Sequence, residues 1–155
     1  LIPRTPFGQC PLMNKRIALA ADHAGFELKS ALKEELEKLG YSVLDLGTSG
    51  PQSVDYPDFA DALADALAQG RAEWGLAVCG TGIGISIALN RHRHIRAALC
   101  HDGTAARLAR EHNNANVLAL GARLIGIEAA KDCVQIFLNT AFAGGRHERR
   151  LAKLA

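Results

Sequence analysis

From Lys15 onwards, short apolar runs of strand length alternate with longer segments whose apolar positions recur at helical spacing. The first run, RIALAA (Arg16 to Ala21), is followed by FELKSALKEELEKLG (Phe26 to Gly40). In that segment Leu28, Ala31, Leu32, Leu36 and Leu39 share one helical face, charges occupy the other, and Gly40 marks the stop. A strand and an amphipathic helix are predicted. The unit recurs as YSVLDLG then YPDFADALADALAQG, WGLAVCG then IGISIALN, IRAALC then GTAARLAREH, and NVLALG then GIEAAKDCVQIFLN. A last segment, GGRHERRLAKLA, follows a glycine break and predicts a short basic C-terminal helix.

Strands that each lead into a helix imply right-handed crossovers and a parallel sheet covered on both faces. The predicted fold is therefore α/β: a single-domain, Rossmann-like three-layer α/β/α sandwich with a five-stranded parallel sheet and an extra C-terminal helix. In open sheets of this kind a ligand sits beyond the carboxyl ends of the strands. Those ends carry Asp22 and His23, Gly47 and Thr48, Cys79 to Gly84, Cys100 to Asp102, and Gly121 to Arg123.

Composition narrows the function. The 155 residues are 48% hydrophobic with a formal net charge of +2, enough for one domain with a substantial core, placed at residues 13–155. Residues 1–12, LIPRTPFGQCPL, carry three prolines without periodicity and are expected to be an unstructured leader or a remnant foreign to the fold. The basic clusters are too short for a nucleic-acid tract or a membrane surface, and no apolar run is long enough to cross a bilayer. Cys10, Cys79, Cys100 and Cys133 lie far apart with no C-x-x-C pair, which predicts reduced thiols in a cytoplasmic protein rather than a zinc ribbon or a disulfide framework.

The stretch VCGTGIGISIALN (Val78 to Asn90) sets a cysteine before glycines at 80, 82 and 84. Such a strand-to-helix turn can aim backbone N–H groups at an anion or a developing oxyanion, or it can simply be a tight, closely packed turn. It is neither a dinucleotide fingerprint nor a Walker-A loop. Cys79 is either a small buried hydrophobe or a thiolate stabilised by the helix N-terminus. Asp22 reads as a helix cap or a site residue, and His23 as a solvated loop residue or a ligand contact. In REHNNANV, His112 and Asn113 stand at a helix end, where Asn113 and Asn114 can also serve as a C-terminal cap. Arg146 and Arg150, four apart, suit a phosphate or a solvated basic tail. No metal-ligand spacing links His23, His101 and His112, so neither metal nor cofactor is predicted, and NRHRHIR reads as an exposed turn.

Together, AADHAGFELK, DLGT, DYPDFA, CGTGIGISIALN, REHNNANVLALGAR and GGRHERR resemble the type B ribose-5-phosphate isomerases, within the family that includes galactose-6-phosphate isomerase. The resemblance runs in order from about Lys15 to Arg150. It implies a metal-free aldose–ketose isomerase that interconverts D-ribose 5-phosphate and D-ribulose 5-phosphate through a cis-enediolate. By the same resemblance Cys79 is the base, and Thr81 with the amides of Gly80, Gly82, Ile83 and Gly84 holds the enediolate. His112 opens the furanose ring with Asp22 on the ring hydroxyls, and Asn113 binds the sugar. His23, Arg146 and Arg150 match phosphate-binding positions, with Arg123 contributing across a dimer interface. A homodimer with shared sites is implied, with a dimer of dimers as a larger assembly, while His101 receives no role. Six-carbon substrates such as allose or galactose 6-phosphate stay open. So does a non-catalytic sugar-phosphate-binding module, which would have no need of Cys79 and His112 together.

Overall fold

A computed structural model describes residues 16–154, so the proposed leader and Cys10 lie outside the described residues. The predicted alternation is present as β1 (Arg16–Ala21), α1 (Phe26–Lys38), β2 (Ser42–Asp45), α2 (Tyr56–Ala68), β3 (Trp74–Cys79), α3 (Ile83–Leu89), β4 (Ala97–Leu99), α4 (Gly103–Asn113), β5 (Val117–Gly121), α5 (Ile127–Asn139) and α6 (Arg146–Ala152). The strands form one parallel sheet in the order β2-β1-β3-β5-β4. The chain builds outward to β2 on one side of β1 and to β3, β5 and β4 on the other. The topological switch point therefore falls between β1 and β3, where a ligand crevice is expected.

Both faces of the sheet are covered, which is why the strands are continuous apolar runs rather than alternating ones. On β1, Ile17, Leu19 and Ala21 join a core with Leu32 and Leu36 of α1, Ala106 of α4 and Phe137 of α5. Ala18 and Ala20, on the opposite face, join Leu63 of α2 and Ile85 and Leu89 of α3. The same alternation on β3 sends Leu76 and Val78 one way and Ala77 and Cys79 the other, so Cys79 lies on the α2/α3 side.

Helix ends follow local chemistry. Gly40, beyond α1, takes a φ of 90°, as its reading as a stop signal requires. Asp102 caps α4 by accepting the Ala105 N–H at 2.7 Å. The left-handed cap at the other end of α4 is Asn114 (φ 44°), while Asn113 remains the last helical residue. NRHRHIR is a turn, tied down by His92 Nε2 to Asp61 at 2.8 Å and by His94 Nε2 to the Ala64 carbonyl at 2.8 Å. Among the described residues no helix is long and apolar enough to cross a membrane.

Candidate active site

At the switch point β3 ends in Cys79 and turns into α3 through Gly80–Gly82. Gly82 adopts a φ of +75°, and a Cβ there would lie 2.5 Å from Leu99 Cδ1 and 2.9 Å from the Leu120 carbonyl carbon. That turn brings the Gly82 N–H onto Cys79 Sγ at 3.1 Å. Cys79 is 4% exposed: it packs in the core, and its sulfur accepts a backbone donor at the start of a helix. Cys100 and Cys133 are buried in the core on the other face of the sheet. Burial, with Cys133 and Asp102 adding, pushes the Cys100 thiol up to about 12, and burial, with Asp102 and Asp132, pushes Cys133 up to about 11.

The loop is held from several sides. Thr81 Oγ1 accepts the Ile83 N–H at 3.2 Å, and the Ala122 and Arg123 amides donate to the carbonyls of Cys79 and Gly80, each at 2.9 Å. A Cβ on Gly80 would stand 3.2 Å from Arg123 Nη1, so the guanidinium lies over the cysteine loop of its own chain and reaches it without an interface. From β1, the Asp22 N–H donates to the Val78 carbonyl at 3.2 Å, and Asp22 Oδ1 caps the short turn His23–Gly25 by accepting the Gly25 N–H at 3.1 Å. The cap reading of Asp22 thus holds, and it sets this carboxylate, 6% exposed, beside the end of β3. His23 Nδ1 accepts the Val54 N–H at 3.1 Å. His101 is exposed immediately beyond β4.

The remaining candidates lie elsewhere. The eleven residues of α4 carry the chain about 16 Å back from the carboxyl edge of the sheet to the amino-terminal edge, where β5 begins. There Arg96, just ahead of β4, donates from Nε to the carbonyls of Asn113 and Asn114 at 3.2 and 3.0 Å. Helix α6 folds back onto the same end: Ala143 donates to the Glu111 carbonyl at 3.0 Å, and the His147 ring stacks on His112 with centroids 4.4 Å apart. Arg146 and Arg150 stand exposed on that helix. One chain therefore gathers Cys79, Thr81, Gly80–Gly84, Asp22, His23 and Arg123 at one edge of the sheet, and His112, Asn113, Arg146 and Arg150 at the opposite edge. The rule that places ligands at strand carboxyl ends reaches only the first group.

A family model described as Ribose/Galactose Isomerase matches residues 17–154. The chain belongs to that family. It is 44% identical over 137 residues to ribose-5-phosphate isomerase B of Escherichia coli strain K12, covering 88% of this chain and 92% of the relative. It is also 41% identical over 140 residues to D-erythrulose-4-phosphate isomerase of Pectobacterium atrosepticum, covering 89% and 91%. A crystal structure of a ribose 5-phosphate isomerase from Thermotoga maritima superposes with a TM-score of 0.89 at 53% identity, covering 90% of this chain and 97% of the other. This chain is accordingly an enzyme, a sugar-phosphate isomerase with their single-domain α/β fold.

Three residues support the candidate site without having drawn attention in the sequence. Arg110, buried in α4, donates to the Thr140 carbonyl (3.1 Å), Asn114 Oδ1 (2.9 Å) and the Ala115 carbonyl (2.6 Å), with its guanidinium 4.1 Å from the Trp74 ring centroid. It fixes the end of α4 that carries His112 and Asn113. Burial, with Arg96 adding, pulls Arg110 down to about 10, still a cation at neutral pH. His147 backs the His112 ring, and burial, reinforced by His112, Arg146 and Arg150, holds it below the ordinary histidine range. Val54 contributes only a backbone amide. Among the described residues no group of three or more His, Cys, Asp or Glu side chains is arranged to hold a metal ion.

Proposed function

We propose that this enzyme interconverts D-ribose 5-phosphate and D-ribulose 5-phosphate through a cis-enediolate, in a site completed by a second copy of the chain. The observation that carries this reading is the Cys79 sulfur accepting the Gly82 N–H in a glycine turn at the switch point. The isomerisation moves a proton from C2 to C1 and another from O2 to O1. A thiolate at Cys79 takes the C2 proton, and the electrons pass into the enediolate. The amides of the Gly80–Gly84 loop balance the charge on its oxygens, the Thr81 hydroxyl takes the proton from O2 as it gives its own to O1, and the sulfur returns the first proton to C1. Before this the furanose must open: His112 takes the proton from the anomeric hydroxyl and returns it to the ring oxygen, with Asp22 and Asn113 on the sugar hydroxyls. Arg123, Arg146, Arg150 and His23 bind the phosphate.

The separation of the two groups by the height of the sheet is the argument for a shared site. A two-fold dimer can set the amino-edge group of one copy against the cysteine loop of the other, and symmetry makes the arrangement twice. The surface beside the loop suits this role. On α3, Ile83 and Ile87 are 49% and 53% exposed one helical turn apart, an apolar pair next to the site with no cover from their own chain.

The purified enzyme is expected to turn over ribose 5-phosphate at an undiminished rate in excess EDTA, since amide donors and a thiolate supply what the enediolate needs. Loss of activity on chelation and recovery with added metal would overturn that mechanism. A panel of four-, five- and six-carbon aldose phosphates tests the substrate. A four-carbon sugar phosphate is the second reading, favoured by the 41% identity to D-erythrulose-4-phosphate isomerase. Arg146→Ala is expected to raise KM for every phosphorylated substrate by about ten-fold or more, because it removes a charge-assisted contact made equally in ground and transition states. A change confined to kcat would take Arg146 off the phosphate.

A further inference from the structure

The loop between β2 and α2, residues 46–55, grips the end of β1 at two points. At its start the Ala21 N–H donates to the Gly47 carbonyl at 2.8 Å and the Thr48 N–H donates to the Ala21 carbonyl at 2.7 Å. At its far end the Val54 N–H donates to His23 Nδ1. The start is itself anchored, because Asp45 Oδ1 accepts both the Gly47 N–H at 3.0 Å and Lys29 Nζ at 2.7 Å. The Lys29 side chain is 3% exposed, so releasing Asp45 would strand a buried ammonium. Burial alone would raise the Asp45 carboxyl, but Lys29, the Gly47 amide and Lys33 outweigh it and hold the group below its ordinary value. Asp45 stays an anion, and its hold on the start of the loop at Gly47 is kept.

A backbone N–H can only donate, so the imidazole nitrogen facing it must accept. With the Nδ1 lone pair committed to Val54, the tautomer that fits this contact carries its ring proton on Nε2. Nε2, on the other side of the ring, has no partner among the described residues. We propose that His23 meets the substrate phosphate as a neutral hydrogen-bond donor through Nε2, with the Val54 amide as the positioning group that fixes its tautomer. The inference rests on the reading of His23 as a phosphate contact given above. It assigns the charge balance to the arginines and leaves His23 to set direction: one N–H at a fixed angle, neither a base nor a cation.

Two measurements on the full-length enzyme test it. Nitrogen-15 spectra of the histidine rings, with His23 assigned from the signal lost in His23→Gln, should show at neutral pH a protonated Nε2 and an unprotonated Nδ1, both free and with ribose 5-phosphate bound. A proton on Nδ1, or a doubly protonated ring in the complex, would overturn the proposal. Should His23→Gln fail to fold, His23→Asn supplies the same assignment, so the wild-type spectrum still decides the tautomer. Separately, glutamine places an N–H near the position of Nε2, asparagine places its polar atoms nearer Nδ1, and lysine supplies a cation. KM should rise by no more than about three-fold in His23→Gln and by about ten-fold to a hundred-fold in His23→Asn and His23→Lys, with kcat less affected. Lysine or asparagine outperforming glutamine would sink the donor role. If the wild-type enzyme turns over none of the sugar phosphates, it is the phosphate-site reading that fails, and the ring nitrogens still decide the tautomer.

Discussion

Replacing Cys79 by alanine is expected to lower kcat by about a thousand-fold or more while leaving the affinity for ribose 5-phosphate nearly unchanged. A base that acts only on the C2 proton contributes to the transition state and little to the ground state, so its loss falls on kcat. The buried position of Cys79 and the Gly82 N–H on its sulfur are the observations behind that assignment. Calorimetric titration of the variant alongside a coupled turnover assay separates the two effects. Cys133→Ala is the control: its thiol is pushed up to about 11 by burial and it belongs to the core on the far side of the sheet, so it should affect stability and leave kcat within a few-fold. Substantial turnover by Cys79→Ala would move the base elsewhere, and His101, exposed at the end of β4, is the next candidate.

Most of the fold was legible because burial on both faces writes a parallel strand as a plain apolar run, and the helices between carry a distinct period. RIALAA is β1 to the residue. IRAALC shrinks to β4 at Ala97–Leu99, because an edge strand pairs on one side only and Arg96 is already engaged, its N–H on Asn116 Oδ1 at 2.7 Å and its Nε on the end of α4. Within the candidate site, the glycine turn and the Asp22 cap could be foreseen because their chemistry is local in sequence. The Val54 contact could not, since a backbone amide carries no residue signature and His23 lies 31 positions away. Nor could Arg110, a charged residue on an amphipathic helix that looks solvated until Trp74 and the carbonyls of Ala115 and Thr140 enclose it. The family resemblance names the residues of the site and implies that the histidine–asparagine segment of one copy reaches the cysteine loop of its partner, an expectation in keeping with the direction in which α4 runs.

That direction leads to the boldest expectation, that two inactive variants will restore one another. If His112 of one copy serves Cys79 of its partner, Cys79→Ala and His112→Ala chains are each inactive alone. A dimer holding one of each has one site with both residues and one site with neither. Unfolded together and refolded, the chains pair at random, so about half the dimers are mixed and about a quarter of wild-type sites should return. The expected readout is a rise from background to roughly a quarter of wild-type kcat per chain, with KM unchanged, because the restored sites carry no substitution. Distinct affinity tags on the two chains allow the mixed dimers to be purified, which removes any dependence on refolding yield, and in that fraction about half the sites should be active. Mixed dimers that form and stay inactive would place both residues in the site of one chain. That outcome would require α4 to deliver His112 to the carboxyl edge of its own sheet, against the path it takes from Gly103 to Asn113 and the contacts of Arg96 and Ala143 that hold its end at the other.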